Sequence, residues 1–138
     1  MTVEKIEKDG VAYAVVVRAG DLDTERSTFF TAGEETLQIG TTANKAGYVE
    51  PVHYHRESKR QVTGAHQMLY VIKGKAAMDF FDQSGNLFST VEINVGDMML
   101  IQDGIHRIRM LTDFIAITAK QGPYISADQD KVNVDEQH

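Results

Sequence analysis

Cysteine is absent from the 138 residues of this chain, which excludes disulfides, thiolate metal sites and a cysteine nucleophile. No stretch approaches the roughly 18 apolar residues of a membrane-spanning helix. The first ten residues also lack the apolar core of a signal peptide, so a cytoplasmic, soluble protein is expected. Positive charge is scarce. Fourteen Lys and Arg face twenty Asp and Glu, a net charge of −6, which removes the electrostatic basis for non-specific nucleic-acid binding. The expected partner is a small molecule, and the chemistry must come from histidine, carboxylates, hydroxyls or a bound cofactor. Also missing are a long segment of helical period, an internal repeat, a low-complexity tract and a linker. What remains is ordinary globular composition, with 42% hydrophobic and 25% charged residues. The length suits one domain that needs no metal or disulfide staple to fold. We therefore expect a single domain over residues 1–138, with its core at about 11–122 and a polar tail at about 125–138 that frays or docks on a neighbour.

Strand signals dominate. The run Val11–Val17 is rich in β-branched residues and bracketed by Gly10 and Gly20. Shorter runs follow at 27–31 and 35–42. The clearest one, Gln67–Lys73, stops at Gly74 and is followed by residues 76–81. Asp82, Gly85 and Asn86 then supply hairpin chemistry. Runs at 87–95, 98–101, 106–110 and 114–119 complete nine or ten short strands. Such spacing predicts an all-β sandwich or barrel.

Four of the five histidines, His53, His55, His66 and His106, fall mid-chain, and His138 ends the sequence, where it is expected to be solvated. His53 and His55 lie two apart, so on a strand both rings project from one face. Parallel imidazoles are costly to bury without partners, and a divalent metal resolves the cost by taking one nitrogen from each. His106 shares the parity of apolar Ile108 and Met110, which places it on a buried face. Arg107 and Arg109 then point outward, as a solvated or interface face. Three converging imidazoles hold either a metal or a hydrogen-bonded cluster without one.

The order of these residues resembles the cupin superfamily. Gly47, five residues, then His53-Tyr54-His55 match the opening of its first motif, G-x5-H-x-H-x3-4-E-x6-G; Gln67, six residues, then Gly74 match its end. Gly96-Asp97 and Gly104-Ile105-His106 stand for the second motif with one residue fewer before the histidine. The stretch 103–111, followed by 119–124, is more narrowly similar to short bacterial single-domain cupins found near surface-polysaccharide and sugar-nucleotide genes. The resemblance implies a double-stranded β-helix, or jelly-roll, barrel. It also implies one divalent metal ion (Fe, Mn, Ni or Zn) held by His53, His55 and His106, with Gln67 as a further ligand, and a homodimer. In that dimer the exposed edge of a strand such as Val11–Val17 would pair between subunits.

Gln67 occupies the glutamate position of the motif, so the site carries one more positive charge and a weaker donor for a hard cation. Glu57 shares the parity of His53 and His55 and could substitute. Eleven residues, 56–66, separate His55 from Gln67 where the motif has three or four. With Arg56 and Lys59, this insertion is either a lid steering an anion or a plain solvated hairpin. His66 should face away from Gln67 as a packed or surface residue. Tyr48, Tyr54 and Tyr70 could offer phenols to a ligand, although strand tyrosines more often pack their rings. The stretch 120–124 has a turn or dimer role as its simplest reading. The functional expectation is a metalloenzyme acting on a carbohydrate-like or anionic substrate. The alternatives are a non-catalytic sugar-binding protein and a metal-free sugar-nucleotide isomerase or epimerase, in which a histidine base works with a tyrosine acid.

Overall fold

The computed structural model describes residues 3–22, 25–123 and 126–134. His138 and Tyr124 lie outside them. Ten strands follow in order: β1 (Val3–Lys8), β2 (Val11–Val17), β3 (Thr28–Phe29), β4 (Gly40–Thr41), β5 (Gln67–Lys73), β6 (Lys75–Phe81), β7 (Leu87–Asn94), β8 (Met98–Ile101), β9 (Ile105–Met110) and β10 (Ile115–Lys120). A 3-10 turn at Ala19–Asp21 and one helical turn at Ala127–Asp130 are the helical elements among the described residues.

All pairing is antiparallel. A five-stranded sheet runs β1-β2-β8-β5-β10, a three-stranded sheet runs β7-β6-β9, and β3 and β4 form a separate pair. The architecture is an all-β sandwich. Among the described residues no ladder joins its two main sheets, so the expected barrel closure is not seen. The edge strands β9 and β10 leave it open on one side.

The period-two pattern sets which residues meet. Ala14, Val16, Leu69, Val71, Met99 and Ile101 face inward from the larger sheet; Ala76, Met78, Phe80, Val91 and Ile93 answer from the smaller. Tyr13 closes one end, its ring edge-on to Phe80 at 6.0 Å and to Phe88 at 4.9 Å. Fully burying such side chains stabilises the fold by about 1.5–3 kcal/mol each. A second cluster lies on the outer face of the larger sheet, where Phe30 and Ile39 cover Val15, Val17 and Leu100. This explains why residues 13–17 are buried on both faces.

Val11–Val17 is not a free edge as expected. β1 and β8 occupy both its sides. The edge belongs instead to β1, whose Glu4, Lys5, Glu7 and Lys8 suit a strand that must resist pairing with other chains. The β7–β8 turn is tied down by Asp97, which accepts hydrogen bonds from Arg18 (2.8 Å), the Ala19 amide (3.2 Å) and the Asn94 amide (2.9 Å).

Candidate functional site

A cavity of about 1030 Å³ lies between the sheets beside β9 and β10. Its walls include apolar Leu69, Met78, Ile101 and Ile108, and residues 130–134 border it. Polar groups enter from three strands: Gln67 from β5, His106 from β9 and Thr118 from β10. Register explains the convergence. Gln67 is opposite Ile101 and two residues from Leu69, so its amide shares their inward face. His106 is opposite Phe80, and Ile108 opposite Met78, so the imidazole takes the cavity-side parity of its strand, but on an edge strand it is exposed and not buried as expected. A mostly apolar concavity with a few convergent polar groups is the usual form of a small-molecule site.

The Nδ1 atom of His106 lies 3.1 Å from the Gly104 carbonyl oxygen. A carbonyl only accepts, so Nδ1 is the donor, and in the neutral ring Nε2 is then the atom with the lone pair. His53 is held the same way, its Nδ1 2.8 Å from the Pro51 carbonyl oxygen, while its Nε2 is 3.5 Å from Glu50 Oε1. Such backbone anchoring orients a metal-ligating imidazole.

The structure keeps the His53 and His55 rings together, with centroids 5.4 Å apart. It does not bring them to His106. Both lie in the exposed stretch 44–65, which forms no strand and does not line the cavity. No group of three or more His, Cys, Asp or Glu suited to a metal occurs within the chain among the described residues. The strand expected at 53–55 is absent, and among the described residues no strand pairs with this stretch. Arg56, Glu57 and Lys59 are exposed on it, as are Tyr48 and Tyr54. Tyr70 points to the outer face of the larger sheet, away from the cavity.

His66 is buried, its Nε2 3.4 Å from Asp103 Oδ1 and its backbone amide donating to Gln121 Oε1 at 3.0 Å. His66 Nδ1 and Gln121 Nε2 are buried with no hydrogen-bond partner among the described residues. Within 120–124, Lys120 pairs with Asp130 and so ties the C-terminal turn to β10.

Sequence reasoning missed the strongest electrostatic feature. Asp79, fully buried in mid-β6, is gripped by the two arginines assigned to a solvated face. Its carboxylate accepts from Arg107 Nε (3.0 Å) and Nη2 (2.7 Å), from Arg109 Nε (2.7 Å) and Nη2 (3.0 Å), and from Thr90 Oγ1 (2.8 Å). The Arg109 hydrogen bonds, then those of Arg107 and Thr90, hold the carboxyl well below the usual carboxylate range against the opposing effect of burial. Asp79 is directly opposite Arg107 and Thr90, so by register these groups and Arg109 share the opposite face of the sheet from His106. A lone Asp inside the apolar run Lys75–Phe81 was the available clue. A clamp of this kind fixes the pleat of β9 and so the position of His106. The chain matches no family model, and no curated protein or solved structure matches it either.

Proposed function

We propose that this is a cupin-type jelly-roll protein that binds a small polar molecule and a divalent metal ion in the cavity between its sheets and acts on the molecule as an enzyme. The observation that supports this reading is the convergence of His106, Gln67 and Thr118 on one largely apolar cavity. His106 is anchored there so that its Nε2 lone pair is free. The donor chemistry suits Fe, Mn, Ni or Zn, for which neutral imidazole is a favoured ligand. In a single chain the donors lie in two halves, His106 with Gln67 and His53 with His55, so a three-imidazole site requires the halves to meet.

A bound divalent ion would supply Lewis-acid polarisation of a substrate oxygen. The chain's own contributions are separate. Gln67 and Thr118 hydrogen-bond the hydroxyls or carbonyls of a polar ligand, and the apolar wall packs against its carbon skeleton. With an amide in place of a carboxylate, the site favours an anionic or polyhydroxylated ligand. Binding without turnover is the second reading, and it rests on His106 being the sole imidazole lining the cavity among the described residues. The metal-free isomerase is less well supported, because Tyr48, Tyr54 and Tyr70 all lie off the cavity lining.

The test is cobalt(II) titration of the purified chain, followed by a screen of sugar nucleotides and 2-oxo acids for turnover. The reading predicts one ion per chain, lost in His106→Ala, and conversion of at least one substrate class. Unchanged stoichiometry and affinity in His106→Ala would overturn the metal assignment. A ligand that only raises the melting temperature would favour the binding protein.

A further inference from the structure

The cavity is not polar along its whole length, and strand register shows how its two ends differ. One end is set by the starts of β5 and β9 and the finish of β10. There Gln67 is opposite Ile101, Thr118 is opposite Leu69, and His106 is opposite Phe80. All three polar side chains line this end. Four residues further along the same strands, about 13 Å at the usual rise, the lining is carbon. Met110 and Ile108 contribute from β9, Met78 from β6, Ala116 from β10 and Phe114 from just before it. A hydroxyl or charge laid along that wall would lose water without gaining a hydrogen bond, at a cost of roughly 1–3 kcal/mol each. The cations at the polar end are already paired. Lys120, opposite Gln67, binds Asp130, and Arg107 grips Asp79. The bordering segment adds one charge of each sign, Asp130 and Lys131. A diphosphate calls for several cations aimed at it, whereas the groups offered here are an amide, a hydroxyl and an imidazole.

We propose that the cavity takes an amphipathic molecule, with one carbonyl or carboxyl head at the Gln67 end and an apolar body of about ten carbons running toward Met110. The head oxygen accepts from the Gln67 amide NH₂ and the Thr118 hydroxyl. The body lies against Ile108 and Ala116, over a floor of buried Leu69 and Met78. A volume of about 1030 Å³ also admits a ring or a branch on that body. Selection of the ligand then falls to side chains that carry no chemistry, Ile108, Met110 and Ala116, because they set how much hydrocarbon is buried. Polyhydroxylated sugars and sugar nucleotides fit poorly, since they have neither an apolar body nor a partner for their phosphates. This deepens the reading of the cavity as a small-molecule site and rests on it, but it does not require the metal.

The test titrates the metal-free chain with two homologous series, straight-chain carboxylates from butanoate to decanoate and the methyl ketones of matching length. Each added methylene should tighten binding about two- to fourfold. The chain is labelled with ¹³C-methyl methionine, so the site reports itself. Met78 and Met110, which line the cavity, should shift, while Met68 and Met98, packed in the cluster on the outer face of the larger sheet, should not. Gln67→Ala should weaken every member by about fivefold and leave the dependence on length intact. Met110→Gln, at an exposed position that folding tolerates, should weaken the longest members most. Response of the acids alone, the ketones alone or both supports the proposal and fixes the charge of the head. Affinity that does not change with length, with glucose shifting the Gln67 and Thr118 amides, overturns the amphipathic ligand and leaves the cavity a polar-ligand site. Shifts at Met68 and Met98 alone place the chains on the outer face and overturn it too. If no probe, glucose included, shifts any cavity signal, the small-molecule reading falls with it.

Discussion

Replacing Asp79 with asparagine tests the claim that a clamp behind the cavity sets the strand carrying His106. Asp79 is fully buried, and its carboxylate accepts five hydrogen bonds, four of them from guanidinium groups. Hydrogen bonds to charged groups contribute about 1.5–3 kcal/mol each when shielded. Here the Arg107 and Arg109 side chains are 41% and 46% exposed, so solvent screens their pairing with Asp79 and much less survives per bond. The amide keeps one acceptor oxygen and sets an NH₂ group against two cations. We expect a net loss of about 2–4 kcal/mol, below the upper range for a broken buried pair because the arginines can turn to water. For a domain of this size that lowers Tm by roughly 10 °C.

The pH dependence supplies an internal control. The folded-state pKa of Asp79 is lowered, so its contribution is complete above the unfolded value, near 4, and is lost as pH falls toward the folded one. The amide of the Asp79→Asn variant cannot titrate. The stability gap between wild type and variant in urea titrations should therefore be constant from pH 7 to about 5. It should then narrow by about 2 kcal/mol between pH 4 and pH 2. A variant within about 0.5 kcal/mol of wild type at pH 7, or a gap unchanged down to pH 2, refutes the reasoning.

Three further outcomes follow from the structure. Gly74 turns β5 into β6 at φ +80°, and a Cβ there would lie 1.9 Å from the Asp113 carbonyl oxygen; Gly74→Ala should cost about 3 kcal/mol in thermal or urea unfolding. Gln67→Glu places a carboxylate on the cavity wall and, on the proposed metal reading, should tighten divalent-metal binding about tenfold by calorimetry. Ile117→Lys, at a half-exposed position on the β5–β10 outer face, should change monomer stability by less than about 0.5 kcal/mol in urea unfolding; if that face seats the expected homodimer, the light-scattering mass shifts toward a single chain.

The strands are legible in the sequence where they are buried. Gln67–Lys73 and Met98–Ile101 carry continuous or alternating apolar side chains between glycine turns, and both form as expected. β1 escapes such a reading because its Glu and Lys residues are the marks of a protective edge, which composition alone does not separate from a polar terminus. The parity of Gln67 is readable from buried Leu69 and Val71, and that of His106 from Ile108, but the burial expected of His106 does not follow, because His106 and Met110 on the edge strand β9 are exposed. Arg107 and Arg109 look solvated in sequence because their partner, Asp79, is 28 and 30 residues away, and only sheet register reveals that it faces them. The stretch bearing His53 and His55 has a strand-like parity with no strand beside it in the chain. Short-range pattern fixes which way two rings point relative to each other, whereas long-range pairing decides what they point at.

The most direct measurement of the proposed metal site is an anomalous-scattering map from crystals grown with cobalt(II). On the proposed reading one peak per cavity is expected, beside His106 and Gln67. A cavity without a peak, or a peak on the His53–His55 pair out in solvent, would contradict it.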